Sequence, residues 1–259
     1  MKKFILLLVT GSPFLQSTAQ KSIWRHNDLF FDNLKGNIEK VKEIPYSVDS
    51  SGKIGAPDSC CIGVLAYNKA GYRTMDVSEN AFGKGMSGQV YIKRYHNGKP
   101  KEIQFISNGK VASTLLGTPT KDGNYGTARI YDEAGKLVSF YDGVKVNGYG
   151  KIIFMKSFKP DSTLQQTIIN NYQEQIWVGG SIMDSSGKEI FATVITLNEN
   201  LYPSEVVQTQ LINGLPSVNR TKYVYDRIDE HGNWTQRREL NDKGEVRKIV
   251  KREILYRKS

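Results

Sequence analysis

With 259 residues, 39% of them hydrophobic and 10% aromatic, the chain can bury a core in one or two domains and is not a disordered tail. The formal net charge is +10, which invites an anionic partner, but an export signal at the N-terminus excludes nucleic acid as the target. Twenty-four glycines against eight prolines suit many tight turns and few rigid linkers.

The chain begins Met1-Lys2-Lys3, continues with the apolar run 4–9 and reaches Ser17-Thr18-Ala19. A basic start, a short apolar stretch and a small-x-small site predict a signal peptide over 1–19, removed before Gln20. The apolar run is too short to span a bilayer, and no cysteine follows the cleavage site to carry a lipid anchor. Loss of Lys2 and Lys3 leaves a charge of +8. Residues 20–35 lack clean periodicity and predict a lead-in with one short helical turn. From residue 36 to 259 the pattern is that of β-hairpins.

Ile38, Val41, Ile44 and Val48 mark a first strand, ended by Asp49-Ser50-Ser51-Gly52. The adjacent Cys60 and Cys61 point to opposite faces of a strand, so a bridge between them is strained, and the expectation is two thiols. The alternative is an intermolecular disulfide in an oxidising compartment. Two cysteines without further ligands make no zinc site, and nothing calls for a cofactor. Residues 81–88 carry Gly83-x-Gly85-x-x-Gly88, the letters of a dinucleotide fingerprint. A strand pattern follows where the fingerprint needs a helix N-terminus, so the expectation is a flexible connection.

Strands and turns then alternate. Asn97-Gly98, Asn108-Gly109, Asp122-Gly123, Asp142-Gly143, Asn147-Gly148 and Asn213-Gly214 predict two-residue hairpin turns. A second turn type, Asp or Asn, two variable residues and Gly, starts at 49, 68, 132, 184, 229 and 241. There the first side chain accepts backbone N–H groups and the glycine takes a positive φ. Residues 159–162 (Lys-Pro-Asp-Ser) are a soft boundary or a longer loop. The unit is clearest over 223–256, which reads strand, turn, strand, turn, strand. In the last strand Val246, Val250, Ile254 and Tyr256 share one face, with Arg247, Lys251 and Glu253 on the other. The fold expected is all-β: an antiparallel meander of hairpins forming an open twisted sheet, with few or no helices after the signal peptide.

Tyr131-Asp132-Glu133-Ala134-Gly135-Lys136-Leu137 resembles the core of the RHS (YD) and MORN-like hairpin repeats. Residues 229–235 and the ending 252–256 are similar to the close of many exported YD-repeat proteins, and Leu34-Lys35-Gly36-Asn37-Ile38 to their opening. The resemblance implies a scaffold or binding surface, and for some MORN-like proteins an antitoxin or immunity role.

No Gly-x-Ser-x-Gly elbow or His-Glu-x-x-His helix is present. His96 and His231 fall in turns, His26 in the lead-in. The close acidic pairs, Asp226 with Asp229 and Asp229 with Glu230, sit where turns need them. Aromatic residues are the better lead. Trp177, Trp234, Tyr149, Tyr172, Tyr223 and Tyr225 could form a stacking platform for sugars or peptides, with Trp234 at a sheet rim, or they could fill cross-strand pairs. Residues 220–259 carry twelve basic and seven acidic side chains, a net +5 that serves an anionic surface or protects a sheet edge. The function expected is a non-catalytic exported module binding an envelope protein or glycan in the periplasm or at the cell surface. The alternatives are a polysaccharide hydrolase with two carboxylates brought together from distant strands, or an immunity partner of a secreted toxin.

Overall fold

The structure, a computed structural model, describes residues 27–58, 61–80, 85–96, 98–121, 123 and 125–258. The signal-peptide expectation and His26 lie outside them. The lead-in does contain one helical turn, α1 (Asp28–Phe31). Asn27 caps it by accepting the Phe30 N–H at 3.2 Å, and Asp28 supplies the favoured acid of a first turn.

The remaining elements are strands, in order β1 (Ile38–Val48), β2 (Ile54–Pro57), β3 (Ile62–Tyr67), β4 (Arg73–Asn80), β5 (Gly85–Arg94), β6 (Pro100–Ser107), β7 (Lys110–Pro119), β8 (Tyr125–Asp132) and β9 (Leu137–Val146). They continue as β10 (Ile152–Phe158), β11 (Leu164–Gln173), β12 (Ile176–Asp184), β13 (Glu189–Leu197), β14 (Pro203–Ile212), β15 (Leu215–Ile228), β16 (Trp234–Leu240) and β17 (Val246–Tyr256). All pairings are antiparallel between sequence neighbours from β3 onward. Gly85 to Gly88, expected in a flexible connection, belong to β5 and pair with β4.

The expectation of an open sheet fails at the ends. β1 pairs with β17 from Ile38↔Tyr256 to Ser47↔Lys248, and on its other edge with β3 from Lys40↔Ala66 to Glu43↔Gly63. β1 and β3 to β17 therefore close a barrel of 16 strands, and β2 is a short annex on the upper half of β1. Closure satisfies two edges that an open sheet would leave unpaired. Turn chemistry acts within a few residues and cannot register strands some 200 positions apart.

Turn geometry follows the sequence closely. At Asp49, Asn68, Asp132, Asp184, Asp229 and Asn241 the side-chain Oδ1 accepts the N–H groups two and four residues on, at 2.8–3.1 Å. The closing glycines at 52, 71, 135, 187, 232 and 244 have φ between 78° and 85°. Asn147 and Asn198 make the same turn. Asn198 escapes a search for glycine because Leu201 holds the left-handed position, at φ 61°. Asn147-Gly148 is thus the start of a longer turn closed by Gly150, and the turns at 98 and 123 likewise begin at Tyr95 and Thr120. Asp142-Gly143 is no turn at all: both lie within β9, where the register with β10 shifts. Asn108-Gly109 and Asn213-Gly214 are two-residue turns with φ positive at both positions. Residues 159–162 form one more tight turn, between β10 and β11.

Cys61 is disulfide-bonded, not a thiol. Cys60 lies outside the described residues.

Candidate functional site

Alternation along the strands divides the barrel into a lumenal and an outer face. One continuous lumenal rung runs Met155, Ile168, Ile182, Phe191 across β10 to β13, each paired in register with the next. On β5 to β10 the same face lines a cavity of about 370 Å³. Its walls are Ile103, Phe105, Leu115, Ala128, Val144, Ile152 and Met155, with Gln89, Tyr125, Thr127 and Tyr141 as the residues bearing polar groups. The described lining contains no carboxylate, so the paired acids of a hydrolase are not assembled there. The outer face carries charge. Lys93–Glu102 (2.7 Å), Arg220–Glu205 (2.9 Å) and Arg238–Asp226 (2.8 Å) bridge neighbouring strands, and side chains of the first member are 40–63% exposed.

One mouth of the barrel is closed by α1 and the residues that follow it. Leu29 and Leu34 pack with Ile38, Val41 and Tyr67, backed by Leu65, Ile254 and Tyr256. Asp28 accepts the Arg73 N–H and Arg94 Nη2, both at 2.7 Å. Asp32 pairs with Arg73 and accepts the Tyr67 hydroxyl at 2.6 Å. Burial nonetheless holds the Asp32 carboxyl above its ordinary range. Lys151 lies over the Phe31 ring at 3.5 Å, and burial pushes its ammonium down to about 8. Farther round, Asn33 donates to the carbonyls of Asn200 and Leu201, and the Lys35 backbone is gripped by Asn233. The segment from α1 to Lys35 thus touches hairpins from β3 to the β15–β16 turn, as a plug within the ring does. Two steps link the cavity to this plug: its lining residue Gln89 accepts the Tyr91 hydroxyl at 3.1 Å, and Arg94, bonded to Asp28, lies over the Tyr91 ring at 5.1 Å.

The aromatic platform expected from the sequence is not one surface. Trp234 opens β16 directly after its turn, but it is 2% exposed. It packs with Tyr202, Tyr225 and Val250, and the Arg237 and Arg252 guanidinium groups lie over its ring at 4.6 and 3.6 Å. Tyr223 stands beside Arg237 in the same sector, at 4.9 Å. Arg252 also binds Glu43 at 2.6 Å; burial raises the Glu43 carboxyl, but Arg252 and Arg237 outweigh that and hold it low. Trp177 and Tyr172 sit opposite each other on β12 and β11, and the Trp177 indole donates to Asn170 at 3.2 Å. Tyr149 lies in the β9–β10 turn. Among the acids, Asp226 faces Arg238, and Asp229 builds its turn and accepts the Tyr256 hydroxyl, which are structural roles. His231 stacks on Tyr256 at 4.2 Å, and His96 is exposed. What the sequence missed was the lumenal cavity: its residues come from six strands, each of which shows only ordinary alternation.

Among the described residues no cluster of His, Cys, Asp or Glu could hold a metal ion, and no helix is long and apolar enough to cross a membrane. No protein-family model matches the chain, and no curated protein matches it. Among solved structures it is similar to a porin-like protein from Bacteroides uniformis ATCC 8492, at 12% identity and a TM-score of 0.49, over 85% of this chain and 98% of that one. A porin-like protein from Bacteroides vulgatus ATCC 8482 matches at 10% identity and a TM-score of 0.35, over 86% and 99%. A TcdB2–TccC3–Cdc42 complex matches at 9% identity and 0.30, over 78% of this chain and 11% of that chain. The architecture stands on the strand pairing itself.

Proposed function

We propose that the protein is an exported, non-catalytic binding module of the cell envelope that holds a small apolar molecule, such as an acyl chain, in its barrel. The observation that carries this reading is the cavity on β5 to β10. Its volume lies in the range of small-molecule sites, and its lining is mostly apolar with a few polar groups, the usual make-up of such sites. A glycan platform is less well supported, because the six aromatic residues are dispersed and Trp234 is enclosed. Export rests on the N-terminal segment. The outer ion pairs favour an aqueous setting, since a lipid-facing band of a membrane barrel is apolar all round.

The test is titration of the mature chain, residues 20–259, with a fluorescent long-chain fatty acid. Saturable one-to-one binding, weakened at least tenfold by Leu115→Arg and by the cavity-filling Ala128→Phe, is the expected result. Binding that neither variant changes, or no binding in the parent, would overturn the reading.

A further inference from the structure

The closed barrel leaves part of one edge of β15 open. β15 runs from Leu215 to Ile228, but β16 pairs with it only from Lys222↔Leu240 to Ile228↔Trp234. Beyond Leu240 the chain turns away at Asn241. Residues 215–220 are all exposed, Leu215 at 72% and Val218 at 60%. Register with β14 fixes which backbone groups are free on that side. The two-residue turn at Asn213-Gly214 makes Ile212↔Leu215 a hydrogen-bonded pair, as are Gln210↔Ser217 and Gln208↔Asn219 in alternation. Pro216, Val218 and Arg220 therefore aim their backbone groups away from β14. Pro216 has no N–H, which stops pairing toward the hairpin tip. Val218 and Arg220 each present a donor and an acceptor.

Beside this edge lies a recess of about 210 Å³, walled by Asn219, Arg220 and Thr221 on one side and by Glu239, Arg247 and Lys248 on the other. Its one carboxylate, Glu239, is taken by Arg237 at 3.0 Å. Arg220 is met by Glu205 at 2.9 Å and by Asp242 at 3.8 Å, and Lys248 faces Asp58 at 3.9 Å, whereas Arg247 has no carboxylate within ion-pair distance among the described residues. Unpaired backbone groups beside a recess of net positive charge are complementary to an extended chain bearing acidic side chains.

We propose that the edge of β15 over Pro216, Val218 and Arg220 is a strand-addition site for an extended acidic peptide of a partner protein. A second copy of this chain is disfavoured, because the same cations would face each other across the new pair. Pro216 limits the added strand to a short segment over Val218, Arg220 and the residues leading to Lys222, so the interaction is weak and reversible unless other contacts join it.

The experiment measures binding of the labelled peptide Val-Glu-Val-Glu-Val-Glu, blocked at both ends, to the mature protein by fluorescence anisotropy, with Val-Lys-Val-Lys-Val-Lys as the reference. The acidic peptide should bind at least tenfold more tightly, and the difference should shrink as salt rises. Val218→Pro removes an edge N–H without touching the β14 ladder and should abolish binding. Arg247→Glu, which leaves the backbone intact, should reverse or erase the preference for acid. Equal affinity for the two peptides, or unchanged binding in both variants, would overturn the proposal. So would concentration-dependent dimerisation of the parent that Val218→Pro abolishes, since the edge would then serve a second copy.

Discussion

Asn233 is the residue on which the plug depends. Its side chain is fully buried and makes three hydrogen bonds: Oδ1 accepts the Lys35 N–H at 2.9 Å, and Nδ2 donates to the Lys35 carbonyl and the Tyr256 hydroxyl, both at 2.8 Å. It thus ties the lead-in to the β15–β16 turn and to the last strand. Asn233→Ala removes all three. At about 1 kcal/mol net for each bond, the variant should lose about 3 kcal/mol. That corresponds to a fall in Tm of about 6–12 °C for a domain of this size. Asn233→Asp is nearly isosteric but should lose a comparable amount, because its second oxygen would face the Lys35 carbonyl. Urea unfolding followed by circular dichroism measures the change, with Glu230→Ala, an exposed position in the same turn, as the control expected within about 0.5 kcal/mol. Limited proteolysis should also begin to cut near residues 33–37 in the alanine variant. If Asn233→Ala unfolds within about 0.5 kcal/mol of the parent, the lead-in is not held by this grip and its role as a plug is refuted.

Two further perturbations probe other parts of the structure. Gly232 closes the same turn at φ 84°, and a β-carbon there would press on the Lys35 side chain at 3.2 Å. Gly232→Val should cost about 1–2 kcal/mol or more in thermal or urea unfolding, and no change would contradict the turn geometry. Lys151 is pushed below its ordinary range by burial, to about 8, so the unfolded chain binds the extra proton between pH 8 and the usual lysine value. Stability should therefore rise with pH across that window, and Lys151→Met should flatten the rise when urea midpoints are compared from pH 7 to 10.5.

Much of the local structure was written in the sequence. Six Asp/Asn-x-x-Gly corners and the turns at Asn108-Gly109 and Asn213-Gly214 form as their chemistry demands, because a side chain reaching its own backbone two and four residues on needs no help from the rest of the molecule. The short helix before β1 was expected only as a turn somewhere in 20–35; the Asn27 side chain that caps it was not singled out. Where the local signal was incomplete, as at Asn198 with Leu201 in place of glycine, the turn passed unnoticed although the bonds are the same. The candidate site was not legible at all, since Phe105 or Met155 shows only strand alternation and nothing local says which face is enclosed.

What only the tertiary structure decided was how the hairpins meet. The pairing of Ile38 with Tyr256 turns a ribbon into a ring, and that ring makes one face of every strand a lumen. It also buries Trp234, lets α1 stop a mouth, and leaves a stretch of β15 unpaired beside β16. Those outcomes depend on contacts between residues some 200 positions apart, whose formation is governed by the summed pairing and burial of the whole ring and by no short motif.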